Sequence, residues 1–157
     1  MLKGIDPLLH ADLLHALAAM GHGDEIAVVD NNFPAASVAR RLLRIDGVDT
    51  GAAGRAILSV LPLDTFVEAP LIRMEVVGDP ATVTDVQHEF RDLCSEAEGR
   101  AIPMASLERA AFYERARAAF AVVATSENRP YGCFLLVKGV TYSPARSPRH
   151  SKATNGL

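Results

Sequence analysis

The chain has no tryptophan, and aromatic residues make up only 6% of its 157 positions. Its core must therefore rest on leucine, valine, isoleucine, alanine and a few phenylalanines. There are two cysteines, Cys94 and Cys133, too far apart to form a C-x-x-C pair. That excludes a zinc ribbon or a disulfide scaffold and leaves reduced, cytoplasmic thiols as the expectation. No apolar run approaches the ~20 residues of a membrane span, and Lys3, Asp6, His10 and Asp12 interrupt the first apolar stretch in a way that does not suit a signal peptide. Excess positive charge is missing too. The formal charge is −3, and residues 143–157 contain Arg146, Arg149 and Lys152 but no acid, so the remainder carries −6. An acidic body repels phosphate backbones, so nucleic acid is not an expected partner and neither is a membrane.

What is present is a globular balance, 49% hydrophobic and 22% charged, over a length that suits one domain. Polar chemistry gathers around a short apolar run between residues 20 and 34. The glycines on either side of His22 read as a helix stop, because glycine takes left-handed backbone angles without a Cβ clash, and this puts His22 on a tight loop. Residues 25 to 29 read as a buried strand that delivers Asp30 at its carboxyl end, before Asn31, Asn32 and Pro34 break it. In open α/β sheets ligands bind at such ends.

The rest alternates helices and strands. Asp6-Pro7 reads as the start of a helix whose apolar stripe is Leu9, Leu13, Ala16, Leu17 and Met20, with His10 and His15 as solvated surface residues. A short helix is expected over residues 34 to 42, a strand over 43 to 46 and a helix from Asp49 or Thr50 to Leu61. Gly51 and Gly54 weaken that last helix, so packing must hold it. Residues 63 to 70 read as a surface loop. In the strand expected over 71 to 77, Arg73 and Glu75 share a face directed to solvent or to a neighbouring subunit. Thr82 or Thr84 caps a helix to about Ala97, with Cys94 on its inner stripe as a core residue. A short strand over 101 to 105 precedes a helix capped by Ser106, in whose first turn Arg109 stands against the dipole. Two apolar runs, 120 to 125 and 133 to 138, form either a hairpin or parallel neighbours. Residues 143–157 read as a mobile tail beyond a domain of residues 1–142. The pattern predicts an α/β fold: a three-layer single domain around a central mixed, largely parallel sheet.

The motif Met20-Gly21-His22-Gly23-Asp24-Glu25-Ile26, followed by Asp30 and Asn32-Phe33-Pro34, resembles the opening of the D-ribose pyranase and L-fucose mutarotase family. Blocks in the same order support the resemblance: residues 44–47, 61–65, 109–116, 119–123 and 131–139. The Phe112-Tyr113-Glu114 block resembles the fucose branch. The resemblance implies the ribose-pyranase-type fold, a ring-shaped homo-oligomer, commonly a decamer, with sites near subunit boundaries, and a monosaccharide substrate with neither cofactor nor metal. It implies His22 as catalytic proton donor and Asp30, Arg109, Tyr131, Gly132 and Cys133 as sugar-binding positions. Cys133 departs from the pattern, since the family carries asparagine there. Tyr113 and Glu114 stay open between site and interface.

These residue types suit the reaction. Mutarotation opens a cyclic hemiacetal and recloses it on the other face of C1, which needs proton donors and acceptors and a grip on the open aldehyde. Histidine has an unperturbed pKa near ~6.5, aspartate accepts from sugar hydroxyls, and arginine donates several directed hydrogen bonds. Two other readings use the same residues: a D-ribose pyranase-type activity, and a non-catalytic monosaccharide-binding accessory of sugar transport. A metal hydrolase built on His22, Asp24 and Asp30 lacks a second nearby histidine or cysteine at ligand spacing.

Overall fold

A computed structural model describes residues 1–142; the tail expected over 143–157 lies outside the described residues. Six strands form one sheet: β1 (Glu25–Val29), β2 (Leu42–Ile45), β3 (Leu71–Met74), β4 (Met104–Leu107), β5 (Ala121–Thr125) and β6 (Phe134–Val137), in the spatial order β2-β5-β1-β6-β3-β4. β1 pairs parallel with β5 and antiparallel with β6, so the two apolar runs late in the chain are neither a hairpin nor mutual neighbours. They flank β1 on opposite sides. β2 with β5 and β3 with β4 are parallel, and β3 with β6 is antiparallel, which makes the sheet mixed.

Five helices cover its two faces: α1 (Ala11–Ala19), α2 (Ala35–Val38), α3 (Thr50–Leu58), α4 (Asp85–Glu98) and α5 (Arg109–Ala118). One core lies under α1, α3 and α4, where Leu13, Ile57 and Phe90 meet Ile26, Val28, Phe134 and Leu136. The other lies under α2 and α5, where Val38 and Phe112 meet Ala27, Val29 and Leu135. Successive strand residues point to opposite faces, so the apolar runs of β1, β5 and β6 are what a sheet buried on both sides requires.

Several expectations are corrected. The first helix begins at Ala11 rather than at Pro7, because Asp6 Oδ1 accepts from the Leu8 amide and closes a separate turn. His10 is not a solvated surface residue: it caps α1 by accepting from the Leu13 amide, and its other ring nitrogen lies 3.0 Å from Arg44 O. α2 stops at Val38, and Leu42 belongs to β2. In the expected surface loop, Leu63, Asp64 and Pro70 are buried while its middle, Thr65 to Glu68, is exposed. Arg73 is buried as well, with Nη2 donating to Pro80 O, because β3 is an internal strand under α4 rather than a solvent-facing one. Ser106 sits in β4 and donates to Glu75, and Glu108 takes over the cap of α5 by accepting from the Ala111 amide. Cys94 is the expected core residue, its thiol pushed up to about 12 by burial and by the charge of Glu98.

Candidate active site

The carboxyl ends of β1, β3 and β4 and the start of antiparallel β6 meet at one edge of the sheet, where β1 has a parallel neighbour on one side and an antiparallel one on the other. That reversal opens a cleft of about 200 Å³, below the ~300–1,000 Å³ of sites for drug-sized ligands. Asp30, Phe33, Arg109, Tyr113, Tyr131 and Cys133 line it, with Met74 and Val77 on the β3 side.

Asp30 follows β1 directly and is 5% exposed. Its Oδ1 accepts from the amides of Asn32 and Phe33, both at 3.0 Å, which locks the turn and leaves Oδ2 for another donor. Cys133 lies beside it, and burial first, with the Asp30 charge second, raises its thiol well above the ordinary range, so the sulfur is protonated. Arg109 opens α5, exposed, with no hydrogen bond or ion pair among the described residues. One turn on, Tyr113 packs edge-on against Phe33 with ring centroids 4.9 Å apart, making an aromatic wall. Glu114 points elsewhere and pairs with Arg117. Tyr131 lends the cleft its ring, and its Oη accepts from the Val77 amide at 3.1 Å. Gly132 stands behind the cleft, where an added Cβ would come within 3.0 Å of Glu127 Cγ.

His22 is elsewhere. Its loop precedes β1, whereas Asp30 follows it, and five strand residues at about 3.3 Å each put roughly 16 Å between the two ends. Within one chain His22 and Asp30 therefore stand at opposite ends of β1. Gly23, at φ +84°, makes the turn, and Lys138 secures it: its Nζ donates to Leu17 O and Met20 O, and its own carbonyl accepts from the Gly23 amide. His22 Nε2 lies 2.9 Å from Asp64 Oδ1. Burial works to raise Asp64, but the bond and charge of His22 and the amides of Phe66 and Thr65 outweigh it and hold the carboxyl below its usual range. An ionised carboxylate only accepts, so His22 donates from Nε2 and turns Nδ1 outward. The imidazole is 44% exposed, and the ring of Phe66, itself 72% exposed, stands 5.1 Å away.

Asp64 escapes notice in the sequence because an acid in an apparent surface loop carries no signal by itself. Its marks are its place in the 61–65 block and Gly139: a Cβ there would meet Leu63 O at 2.6 Å and Asp64 Cα at 2.8 Å, so only glycine lets this segment approach the end of β6.

A small cleft at a sheet reversal, lined by a carboxylate, a guanidinium with no partner among the described residues and aromatic rings, has the size and donor–acceptor set to take a small polyhydroxylated molecule on an α/β domain. The chain belongs to the RbsD / FucU transport protein family, whose model matches residues 3–141. It is 46% identical over 145 residues to the fucose mutarotase of Homo sapiens, covering 88% of this chain and 94% of that protein. Among solved structures it is 52% identical to a putative sugar binding protein, with a TM-score of 0.87 over 90% of this chain and 97% of the other. It is 37% identical to the fucose mutarotase of Streptococcus pneumoniae solved in complex with L-fucose, with a TM-score of 0.83 over 90% of this chain and all of the other.

Proposed function

We propose that this protein is an L-fucose mutarotase whose working site is made by two copies of the chain. The observation that carries this is the separation of the two halves: a sugar-sized cleft at one end of β1, and a half-exposed histidine backed by a buried carboxylate at the other. Each end carries exposed apolar surface beside its half-site, Val77 at 60% on the cleft rim and Phe66 at 72% beside His22. Docking one end onto the other is a head-to-tail contact, and such contacts build a ring when the rotation between copies closes. We take the assembly to be the decamer that the family resemblance implies. The cytoplasm is the compartment where free thiols such as Cys94 and Cys133 persist. Among the described residues no helix is long and apolar enough to cross a membrane.

In this reading Asp30 Oδ2 accepts from a sugar hydroxyl, Arg109 donates to others, and Tyr113 and Phe33 offer an apolar wall to the ring carbons. His22 of the neighbouring copy delivers a proton to the ring oxygen as the bond from that oxygen to C1 breaks, and the anomeric hydroxyl passes its proton to solvent water at the open mouth of the cleft. The aldehyde turns about the C1–C2 bond while the cleft holds the remaining hydroxyls, and the steps reverse on the opposite face. Asp64 positions the imidazole by accepting from Nε2, which turns Nδ1 toward the sugar.

Saturation-transfer NMR on the anomeric protons of L-fucose tests the activity. Exchange faster than the spontaneous rate is expected. Binding with no acceleration would instead assign a sugar-binding accessory.

A further inference from the structure

Tyr131 has a backbone φ of +63°, the only positive value at a non-glycine residue among the described residues. Such a conformation is unfavourable for a residue with a Cβ, and it persists only where its surroundings over-determine it. Here the groups that hold it are buried behind the cleft. Gln87, on the inner face of α4, is fully buried, and both hydrogens of its amide are used. One goes to Met74 O at 2.7 Å and the other to Tyr131 O at 3.1 Å. Its Oε1 accepts from the Thr84 amide at 3.2 Å and so closes the cap of α4. Met74 and Tyr131 both line the cleft. One side chain therefore ties the end of β3 to the turn that precedes β6.

The same turn is held from its other side. The buried Glu127 carboxylate accepts from the Arg129 amide at 2.9 Å, from its guanidinium at 3.0 Å and from the Thr50 hydroxyl at 3.2 Å. Glu127 O accepts from the Asn31 amide at 2.9 Å, linking the turn to the one that shapes Asp30. The outcome is visible at the Tyr131 hydroxyl. Because its oxygen accepts from Val77, its own hydrogen is left to donate into the cleft.

We propose that Gln87 is a positioning residue for sugar binding: by joining Tyr131 O to Met74 O it fixes the left-handed turn and aims the Tyr131 hydroxyl at the sugar. This rests on the cleft being the sugar site. The geometry asks for glutamine in particular. A glutamate would set a carboxylate against two carbonyls, an aliphatic residue would leave both carbonyls bare in a buried place, and asparagine is one methylene too short to reach both.

The test is a double-mutant cycle on the assembled protein, reading L-fucose affinity by calorimetry and Val77 amide exchange by NMR, for wild type, Tyr131→Phe, Gln87→Met and the double variant. Tyr131→Phe is expected to weaken binding about tenfold in the wild-type background but less than about twofold beside Gln87→Met, where the hydroxyl is already misdirected. The Val77 amide should exchange faster in Gln87→Met. Equal losses in both backgrounds with Val77 exchange unchanged would overturn the proposal and leave Gln87 a purely structural residue. If Gln87→Met fails to fold, Gln87→Asn carries the same cycle with the same two outcomes. If Tyr131→Phe and Asp30→Asn both leave affinity unchanged in the wild-type background, the cleft is not the sugar site, and the proposal falls with that reading.

Discussion

At the scale of single residues, the division of labour on each carboxylate is the informative feature. Asp30 spends one oxygen on its own turn and keeps one. Asparagine can accept the same two amides, so Asp30→Asn should fold normally yet lose a charged hydrogen bond to the sugar, worth about 1.5–3 kcal/mol of binding. Calorimetry with L-fucose measures this, and undiminished affinity would remove Asp30 from the site. Arg109 is exposed and uncommitted, which fits a side chain that chooses among sugars. L-fucose should exchange anomers faster than D-ribose, and Arg109→His should slow fucose by a similar free energy, because histidine offers at most two donors where arginine offers five. A wild-type preference for ribose, or an unchanged fucose rate in the variant, would assign selectivity to other residues.

Buried carboxylates also set the acid limit of the fold. Burial acts to raise Glu127, but the bonds from Arg129 and Thr50 prevail and bring it down to about 2, and Asp64 is lowered by His22. A carboxyl held lower in the folded than in the unfolded chain stabilises fully above its unfolded pKa, near ~4.3 for a glutamate, and loses that contribution as pH falls toward the folded value. Stability should thus fall between about pH 4.5 and about 2, and Glu127→Gln should flatten that part of the profile. Urea titrations across this range decide it: parallel profiles for wild type and variant would mean that Glu127 titrates alike in both states.

At the scale of elements, packing overrides local preference where the sequence already gives warning. Gly54 weakens α3 on its own, and its reason for being there is Phe90 of α4: a Cβ at Gly54 would stand 2.6 Å from that ring. The ring cannot retreat, since it stacks on Phe134 at 3.9 Å and 5°. Gly54→Ala should therefore cost about 1–3 kcal/mol through overpacking, outweighing the ~1 kcal/mol that alanine gains in helix propensity. A thermal midpoint equal to or above wild type would show that the α3–α4 contact yields easily.

The same comparison marks how much was legible beforehand. Apolar runs bounded by Gly, Pro and Asn gave β1, β5 and β6 almost to the residue, and the Asp49 cap fixed the start of α3. Pairing was not legible, because β1 finds its partners 95 to 112 residues onward, from Ile26↔Ala121 to Glu25↔Val137, and their apolar runs look alike. Nor was the burial of Arg73, which depends on β4 arriving later to make β3 internal. In the site, Asp30, Arg109, Tyr131 and Cys133 converge as their order in the motifs implied. Gln87 was missed although it had a signal, the three-residue spacing from Thr84 of a capping box.

At the scale of the whole molecule, placing the proposed proton donor and the proposed sugar cleft at opposite ends of one strand would make a ring part of the chemistry. A head-to-tail site contains His22 from one copy and Asp30 from the next, so two crippled chains can repair each other. His22→Gln alone should lose on the order of 10²–10⁴ in rate with sugar binding little changed, while Asp30→Asn alone should lose affinity. If the two variants are unfolded together in equal amounts and reassembled, each site draws its histidine and its aspartate independently. About one site in four then receives both intact residues, and activity should recover to about a quarter of wild type. Separately refolded variants mixed without exchange of chains should show no more than the sum of their own residual activities, read at a sugar concentration well below saturation. Anomer exchange on the co-assembled sample, with sedimentation to verify rings, reads the result directly. Recovery can arise only if the two residues meet across chains; a mixture no more active than the sum of its parts would place both residues of the working site in one chain and would require the His22 loop to move some 16 Å along the strand, about five residues at 3.3 Å each.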